Sequence, residues 1–588
     1  MSRRPDDSLQ ARFRKQLARR RDRAVAFMNP RGEVAWRTRE QFFAQAAGAA
    51  GAFRDHGLHP GEVCLLVLQS DETCATALAG ALLAGAVPLL IAPPTLQGTR
   101  SSLPEILART ARRTRARLAV LDESMSVIQG GLPGFDAPVV PGREILAAAP
   151  QDTSWVLPRA TAIAAMQLTS GTTGFPRVCV WKQRGVLAAL DGMTKAMQLS
   201  DDDICFNWTP LYHDMGLVNN FLLCLATGVP IVLLTPQDFV KQPALWLRGL
   251  HLTGATTTWS PNFGYALAAK QVADDDVRGV RLDGVRAFWN AAERIHLETM
   301  EHFRTRFTAL GLRPDALKTN FGCAENVGGA TFTEPNATFR YERVDRELMQ
   351  QRRVAVPRPQ GREAKEIITL VGAGRAAPGI SITILSRTGR GLPDGHVGEI
   401  ALKTPSRMTG YLRDRHATRR ALFGSMLRTG DLGYLRDGEL FWVGRVRERI
   451  TVRGKKIDPS DLEPTLFKVP ELRPGCFAAF GIDDPERGTQ QLVVVSELRD
   501  GTAAHAAEIR RRVRAGITLD LAIEVGDVVL VPKGTLTKTS SGKRRHRHFR
   551  DLYRAGQLPR IEAAPDVAPG GNVASTSASR EGIPAHGR

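Results

Sequence analysis

Strand-length apolar runs at residues 63–68, 163–168 and 231–234 alternate with Ala/Leu/Arg stretches of helical character from about residue 22 to 268. Strands interleaved with helices predict an α/β architecture built on parallel sheets. The longest apolar run, residues 75–94, approaches bilayer length, yet it is rich in Ala and Gly and ends in Val87-Pro88-Leu89-Leu90-Ile91. It reads as a buried helix followed by a strand, so no membrane span is expected. A polar stretch, residues 333–366, then breaks the alternation, and shorter strands expected at 367–371, 380–385 and 398–402 form a β-rich subdomain.

After Leu440-Phe441-Trp442-Val443 the charged segment Gly444-Arg445-Val446-Arg447-Glu448-Arg449 reads as a connector into a smaller α+β domain. There Asp458-Pro459 opens a helix, with aspartate at the cap and proline in the first turn. Beyond residue 560 no periodic apolar positions remain, and a disordered tail is expected over 561–588. The predicted organisation is therefore a large domain over 1–445, made of two αβ subdomains and a β-rich one, a small domain over 446–560, and the tail.

Composition adds limits. A chain of 588 residues with 43% apolar content can bury more than one core. The net charge of +20 comes mostly from arginine spread along the whole length. It fits an Arg/Ala/Gly-rich composition, or a basic face that steers an acidic carrier protein, nucleic acid or anionic membrane toward the chain. Nucleic acid is disfavoured because aromatics are 6% and sparse in the basic N-terminus. Seven cysteines without a C-x-x-C pair argue against a disulfide framework and a structural zinc site. Together with an N-terminus charged where a signal peptide needs an apolar core, they predict a cytoplasmic protein.

The candidate chemistry begins at Thr169-Ser170-Gly171-Thr172-Thr173-Gly174-Phe175-Pro176-Arg177, which lies between two apolar strands. A Walker-type loop would end in Gly-Lys-Ser/Thr and open a helix, so this is a different phosphate cradle or a plain Gly/Thr turn. As a cradle, its glycines let backbone N–H groups turn inward while four hydroxyls add donors. The loop resembles the phosphate-binding motif of the acyl-adenylating superfamily, which includes acyl-CoA synthetases, luciferases and peptide-synthetase adenylation domains. Four further segments stand in that superfamily's order: Asn320-Phe321-Gly322-Cys323-Ala324-Glu325, Thr429-Gly430-Asp431-Leu432-Gly433, Gly444-Arg445 and Thr539-Ser540-Ser541-Gly542-Lys543.

The resemblance implies ATP and Mg2+ as cofactors and assigns roles that suit each residue type. Phe321, between Asn320 and Gly322, would stack on adenine, with Ala292, Glu293 and Arg445 also at the nucleotide. Asp431 would accept both ribose hydroxyls. Glu325 offers a hard oxygen to magnesium, shared with Thr169. Lys543, at the tip of a Ser-Ser-Gly turn, would be the cation that stabilises charge as pyrophosphate leaves. Arg447 falls at the hinge about which the small domain would move.

The run Trp208-Thr209-Pro210-Leu211-Tyr212-His213-Asp214-Met215-Gly216-Leu217 is similar to a signature of the fatty acyl-AMP ligases. Residues 239–247, Ser260-Pro261-Asn262-Phe263-Gly264-Tyr265 and Asn290-Ala291-Ala292-Glu293 are similar to pocket segments of that branch. They imply His213, Trp208, Asn262, Phe263, Tyr265 and Ala291 around the acid. Residues 341–367 fall where the branch carries an insertion that restrains the small domain and disfavours coenzyme A. The acyl group would then pass to the phosphopantetheine of an acyl carrier protein. Trp289, Ala291 and Arg294 replace the usual Phe, Gly and Pro, and Arg177 replaces a lysine, so a long-chain acid does not follow. Alternatives are an acyl-CoA synthetase, a free-standing amino-acid or aryl-acid adenylation enzyme and a non-enzymatic basic binding module; the last must explain why Glu325, Asp431 and Lys543 coexist.

Overall fold

The structure is a computed structural model that describes residues 8–18, 23–93, 103–128, 135–149, 155–169, 176–358, 366–453, 455–484, 489–521, 523–539 and 543–562. The near-continuous apolar runs of the first half form strands buried on both faces, as parallel sheets require. One sheet runs in the order Gly410–Tyr411, Val178–Lys182, Ile163–Leu168, Val87–Leu90, Val63–Val67, Leu118–Leu121, Val139–Pro141. All its pairings are parallel except those on either side of Val178–Lys182. The apolar run 75–94 is the expected helix and strand: Glu72–Leu83, capped by the Asp71 side chain on Cys74 N–H, turns into Val87–Leu90.

A second, longer sheet joins parallel and antiparallel halves. Its parallel half contains Val25–Met28, Ile231–Leu234, Cys205–Asn207, Thr257–Pro261, Ala287–Ala291 and Leu317–Cys323. From Leu317–Cys323 onward the ladder turns antiparallel through Gly328–Phe332, Ile367–Ala376, Glu439–Arg445, Met426–Arg436, Gly398–Lys403 and Ser381–Leu385. The β-rich subdomain is thus continuous with an αβ sheet. Its first strand runs five residues beyond the expected 367–371, because Arg375 and Ala376 pair with Phe332 and Thr331.

The connector begins later than the sequence suggests. Gly444 and Arg445 still belong to the strand Glu439–Arg445, where Arg445 lies directly opposite Asp431. Beyond it a separate apolar core gathers Ile450, Leu466, Val494, Ile517 and Leu530 around the sheet Leu472–Asp484, Thr489–Leu498, Val525–Val531 and the helix Ala506–Leu521. Asp458 caps the turn Pro459–Leu462, which leads into the helix Glu463–Phe467. Ile561, placed in the expected tail, donates its N–H to Leu530 O at 2.8 Å and packs on this core; 563–588 lie outside the described residues. Of the polar segment 341–367, Tyr341–Asp345 pairs with Ile367–Ala376, and the helix Arg346–Arg352 packs on Lys455–Ile457 of the small unit.

Candidate active site

A cavity of about 440 Å³ opens where the phosphate-loop strands, the antiparallel half of the long sheet and the lysine loop meet. Thr169, Ala291, Ala292, Glu293, Asn320, Phe321, Gly322, Glu325, Asp431, Arg445, Arg447, His213 and Lys543 all line it. Five motifs spread over nearly four hundred positions therefore converge on one site. The loop tip, Ser170, Gly171, Thr172, Thr173 and Gly174, lies outside the described residues. At its base Thr169 N–H donates to Arg177 O at 2.8 Å, and Arg177 N–H donates to Thr169 Oγ1 at 3.1 Å.

Glu325 is carried on the turn Ala324–Asn326, which Trp181 ties to the phosphate-loop strand through Nε1 donating to Ala324 O at 2.8 Å. Burial pushes the Glu325 carboxyl up, while the Tyr411 hydroxyl, donating to Oε1 at 2.6 Å, works the other way. Among the described residues no group of three or more His, Cys, Asp or Glu is arranged to hold a metal. A cation at Glu325 would take its other ligands from hydroxyl, phosphate and water oxygens, a hard-oxygen set that fits Mg2+.

Asp431 and Arg445 face each other across the ladder, with Arg445 Nε 3.3 Å from Asp431 Oδ1. Against the effect of its burial, Asp431 leads the charges that raise the Arg445 pKa. Lys543 is half-buried, and desolvation together with nearby Arg445 lowers its pKa; Asp214, Asp431 and Glu325 oppose this. Asp214 is held below the usual carboxylate range despite burial, because His213 Nδ1 stands 2.8 Å from Oδ1 and Lys543 is near. At the other end burial, Arg420, Arg177 and Arg547 push Arg447 down. Such a crowd of cations is a ready seat for a polyphosphate.

Two residues at the site are held in the left-handed region without being glycine: Ala292 at φ 72° and Val327 at φ 55°. For β-branched Val327 this is a strained conformation, of a kind that clusters at functional sites. Sequence reasoning carried no signal for Val327 or for the left-handed backbone of Ala292, nor for Tyr411, Arg420, Gln167 and Asn219, which line the cavity.

Four expected acid-binding residues lie elsewhere, which corrects that part of the assignment. Trp208 stacks on Phe239 at 3.7 Å in the second core, and Tyr265 is fully buried there against Trp246 and Phe303. Both pack in that core, and neither lines the cavity. Asn262 Oδ1 accepts from Asn290 Nδ2 and His296 N–H, each at 3.2 Å, and Phe263 N–H donates to Glu293 Oε1 at 2.7 Å. These two residues support the cavity wall from behind.

The small unit is fastened beside the cavity by charges. Arg294 reaches Asp461 and Ser460, His296 Nε2 lies 3.2 Å from Glu463 Oε2, and Arg544 pairs with the same Glu463 carboxylate. Glu293, one residue before Arg294, is pushed up by burial and drawn down by Arg544.

Cations at one end, the Asp431–Arg445 pair, Glu325 and Lys543 thus share one cavity in a chain with the fold of an adenylate-forming ligase. The chain belongs to the AMP-binding enzyme family, whose model matches residues 13–412. The long-chain-fatty-acid–AMP ligase FadD26 of Mycobacterium marinum is 29% identical over 567 residues, covering 91% of this chain and 94% of the relative. The medium-chain-fatty-acid–[acyl-carrier-protein] ligase JamA of Moorena producens is 29% identical over 427 residues, 71% of this chain and 72% of that one. Among solved structures, fatty acyl-adenylate ligases from E. coli and L. pneumophila match with a TM-score of 0.85 at 25% identity, over 93% of this chain and 98% of theirs.

Proposed function

We propose that this ligase uses ATP to convert an aliphatic carboxylic acid to its acyl-adenylate and then passes the acyl group to the phosphopantetheine of an acyl carrier protein. In the first step a carboxylate oxygen bonds to the α-phosphorus while the bond to the pyrophosphate oxygen breaks. Lys543 stabilises the charge gathering on the in-line oxygens, Asp431 fixes the ribose and Phe321 packs on the base. Mg2+, held by Glu325 and Thr169, would supply charge neutralisation for the phosphates. The observation that carries the reading is the convergence of Lys543, Asp431 and Glu325 on one cavity from separate units.

The division into 1–445 and 446–560 with a hinge at Arg447 is supported by the separate core beyond Ile450. A carrier protein is favoured over coenzyme A by the helix Arg346–Arg352, which packs on the small unit as a restraint would, and by the carrier-directed activity named for the Moorena relative. All seven cysteines are free thiols and no described helix is long and apolar enough to cross a membrane, which supports a cytoplasmic location. ATP–pyrophosphate exchange over a panel of aliphatic, aryl and amino acids tests the first half-reaction, and loading of carrier protein against coenzyme A tests the second. Exchange with no acid would overturn the reading.

A further inference from the structure

A cation that meets the in-line oxygens has to be placed to within a fraction of an ångström, and Lys543 stands at the end of a turn. The turn fixes one side of it: Thr539 N–H donates to Lys543 O at 2.8 Å, and Lys543 N–H donates to Thr539 Oγ1 at 3.0 Å. The other side is held through the next residue, Arg544. Its guanidinium lies over the Phe477 ring at 4.3 Å, and its Nε donates to Gly475 O at 3.3 Å. Its Nη1 and Nη2 donate to the two oxygens of the Glu463 carboxylate, a fork that admits one orientation.

These partners all belong to the small unit, so they fix Lys543 within that unit and leave its place over the cavity open. The contact that crosses the junction is the second one made by Glu463. His296, at the N-terminal cap of the helix Leu297–Phe307 of the large unit, brings Nε2 to 3.2 Å from Glu463 Oε2. Burial works against a charge on Glu463, but Arg544 and His296 hold its carboxyl well below the ordinary carboxylate range. An ionised carboxylate only accepts, so the imidazole nitrogen facing it carries a proton and donates.

His296 is seated from behind. Its backbone N–H and Asn290 Nδ2 both donate to Asn262 Oδ1, each at 3.2 Å, and Asn290 lies on the strand Ala287–Ala291, whose last residue lines the cavity. A run of contacts thus leads from a strand of the cavity wall to the neighbour of Lys543. The side chains of His296, Glu463 and Arg544 are 13%, 10% and 18% exposed, so water is a poor substitute for any of them.

We infer that His296 is a positioning residue for adenylation, setting Lys543 over the cavity by way of Glu463 and Arg544. This rests on the reading of Lys543 as the adenylation cation.

The test is ATP–pyrophosphate exchange by the full chain with whichever acid exchanges fastest in the parental protein. His296→Ala should lower kcat about 10–100-fold, the size expected for a lost hydrogen bond to a charged group or for a misplaced catalytic group. The KM for ATP should stay near parental, because Phe321, Asp431 and Arg445 line the cavity from the large unit. His296→Gln, whose amide can donate to Glu463 at similar reach, should recover most of the rate. In a Lys543→Ala background, His296→Ala should cost less than about twofold more, since a residue that acts through Lys543 has nothing left to position. A parental rate in His296→Ala beside a slow Lys543→Ala would overturn this inference and leave Lys543 its role. So would an undiminished loss in His296→Gln, or a full further loss in the double variant. A parental rate in Lys543→Ala would overturn both.

Discussion

Arg294 Nη1 lies 2.5 Å from Asp461 Oδ1, and the two residues belong to opposite sides of the junction between the large and small units. Each side chain is 12% exposed, and Ser460 Oγ accepts a second bond from Arg294 Nη1 at 3.0 Å. Neither charge can regain water unless the units part. Losing one partner of such an interfacial pair costs about 2 kcal/mol or more, roughly a thirtyfold shift toward the open arrangement. Arg294→Ala should therefore speed proteolytic cleavage near the junction and slow pyrophosphate exchange, and Asp461→Ala should do the same. The double variant should be little worse than either single one. Cleavage and exchange at parental rates in Arg294→Ala would show that the pair does not hold the units together.

Lys543 reaches the cavity from the small unit, while Asp431 and Glu325 belong to the large one. Lys543→Ala should lower the adenylation rate by roughly 10²–10³-fold, the size typical of losing one preorganised electrostatic donor. Transfer of the acyl group from supplied acyl-adenylate to the carrier should change much less, because that step does not expel pyrophosphate. Equal losses in both half-reactions would point to a disrupted fold instead.

The residues whose place in the cavity was legible in the sequence are those set by a short local segment. Glu325 follows its aromatic-Gly run, Asp431 and Arg445 are neighbours across one hairpin, and Lys543 ends its own turn. Trp208 and Tyr265 pack in the second core instead of lining the cavity, because proximity in sequence does not decide which core a side chain joins. Tyr411 and Asn219 come from elements brought in by tertiary packing and carry no motif. The left-handed conformations of Ala292 and Val327 were hidden because neither residue is glycine. By contrast, the helix and strand of residues 75–94 followed from the length and composition of that run alone.

The Tyr411 hydroxyl is a donor to the carboxylate proposed to hold magnesium, at 2.6 Å from Glu325 Oε1. Its removal leaves a half-buried carboxylate whose desolvation already favours the proton. Tyr411→Phe should raise the Mg2+ concentration needed for half-maximal exchange by about 10–100-fold, as loss of an outer partner of a metal ligand typically does. Saturating Mg2+ should restore most of the rate. A parental magnesium dependence would remove Glu325 from the metal site or Tyr411 from its support.

The protonation of Lys543 gives the proposed mechanism a pH signature whose direction follows from burial. The ammonium is the active form, and burial together with Arg445 lowers its pKa from the ordinary 10.5. A lowered value means that the proton is lost earlier as pH rises, so kcat/KM for ATP, which reports the free enzyme, should show an alkaline limb below that value. Arginine stays charged through this range. Lys543→Arg should therefore be slower, from its bulk and altered reach, yet its profile should lose the limb. The measurement is the rate of pyrophosphate exchange under subsaturating ATP across neutral to alkaline pH in both proteins. A limb that persists unchanged in Lys543→Arg would belong to another group and would take from Lys543 the role of the titrating cation.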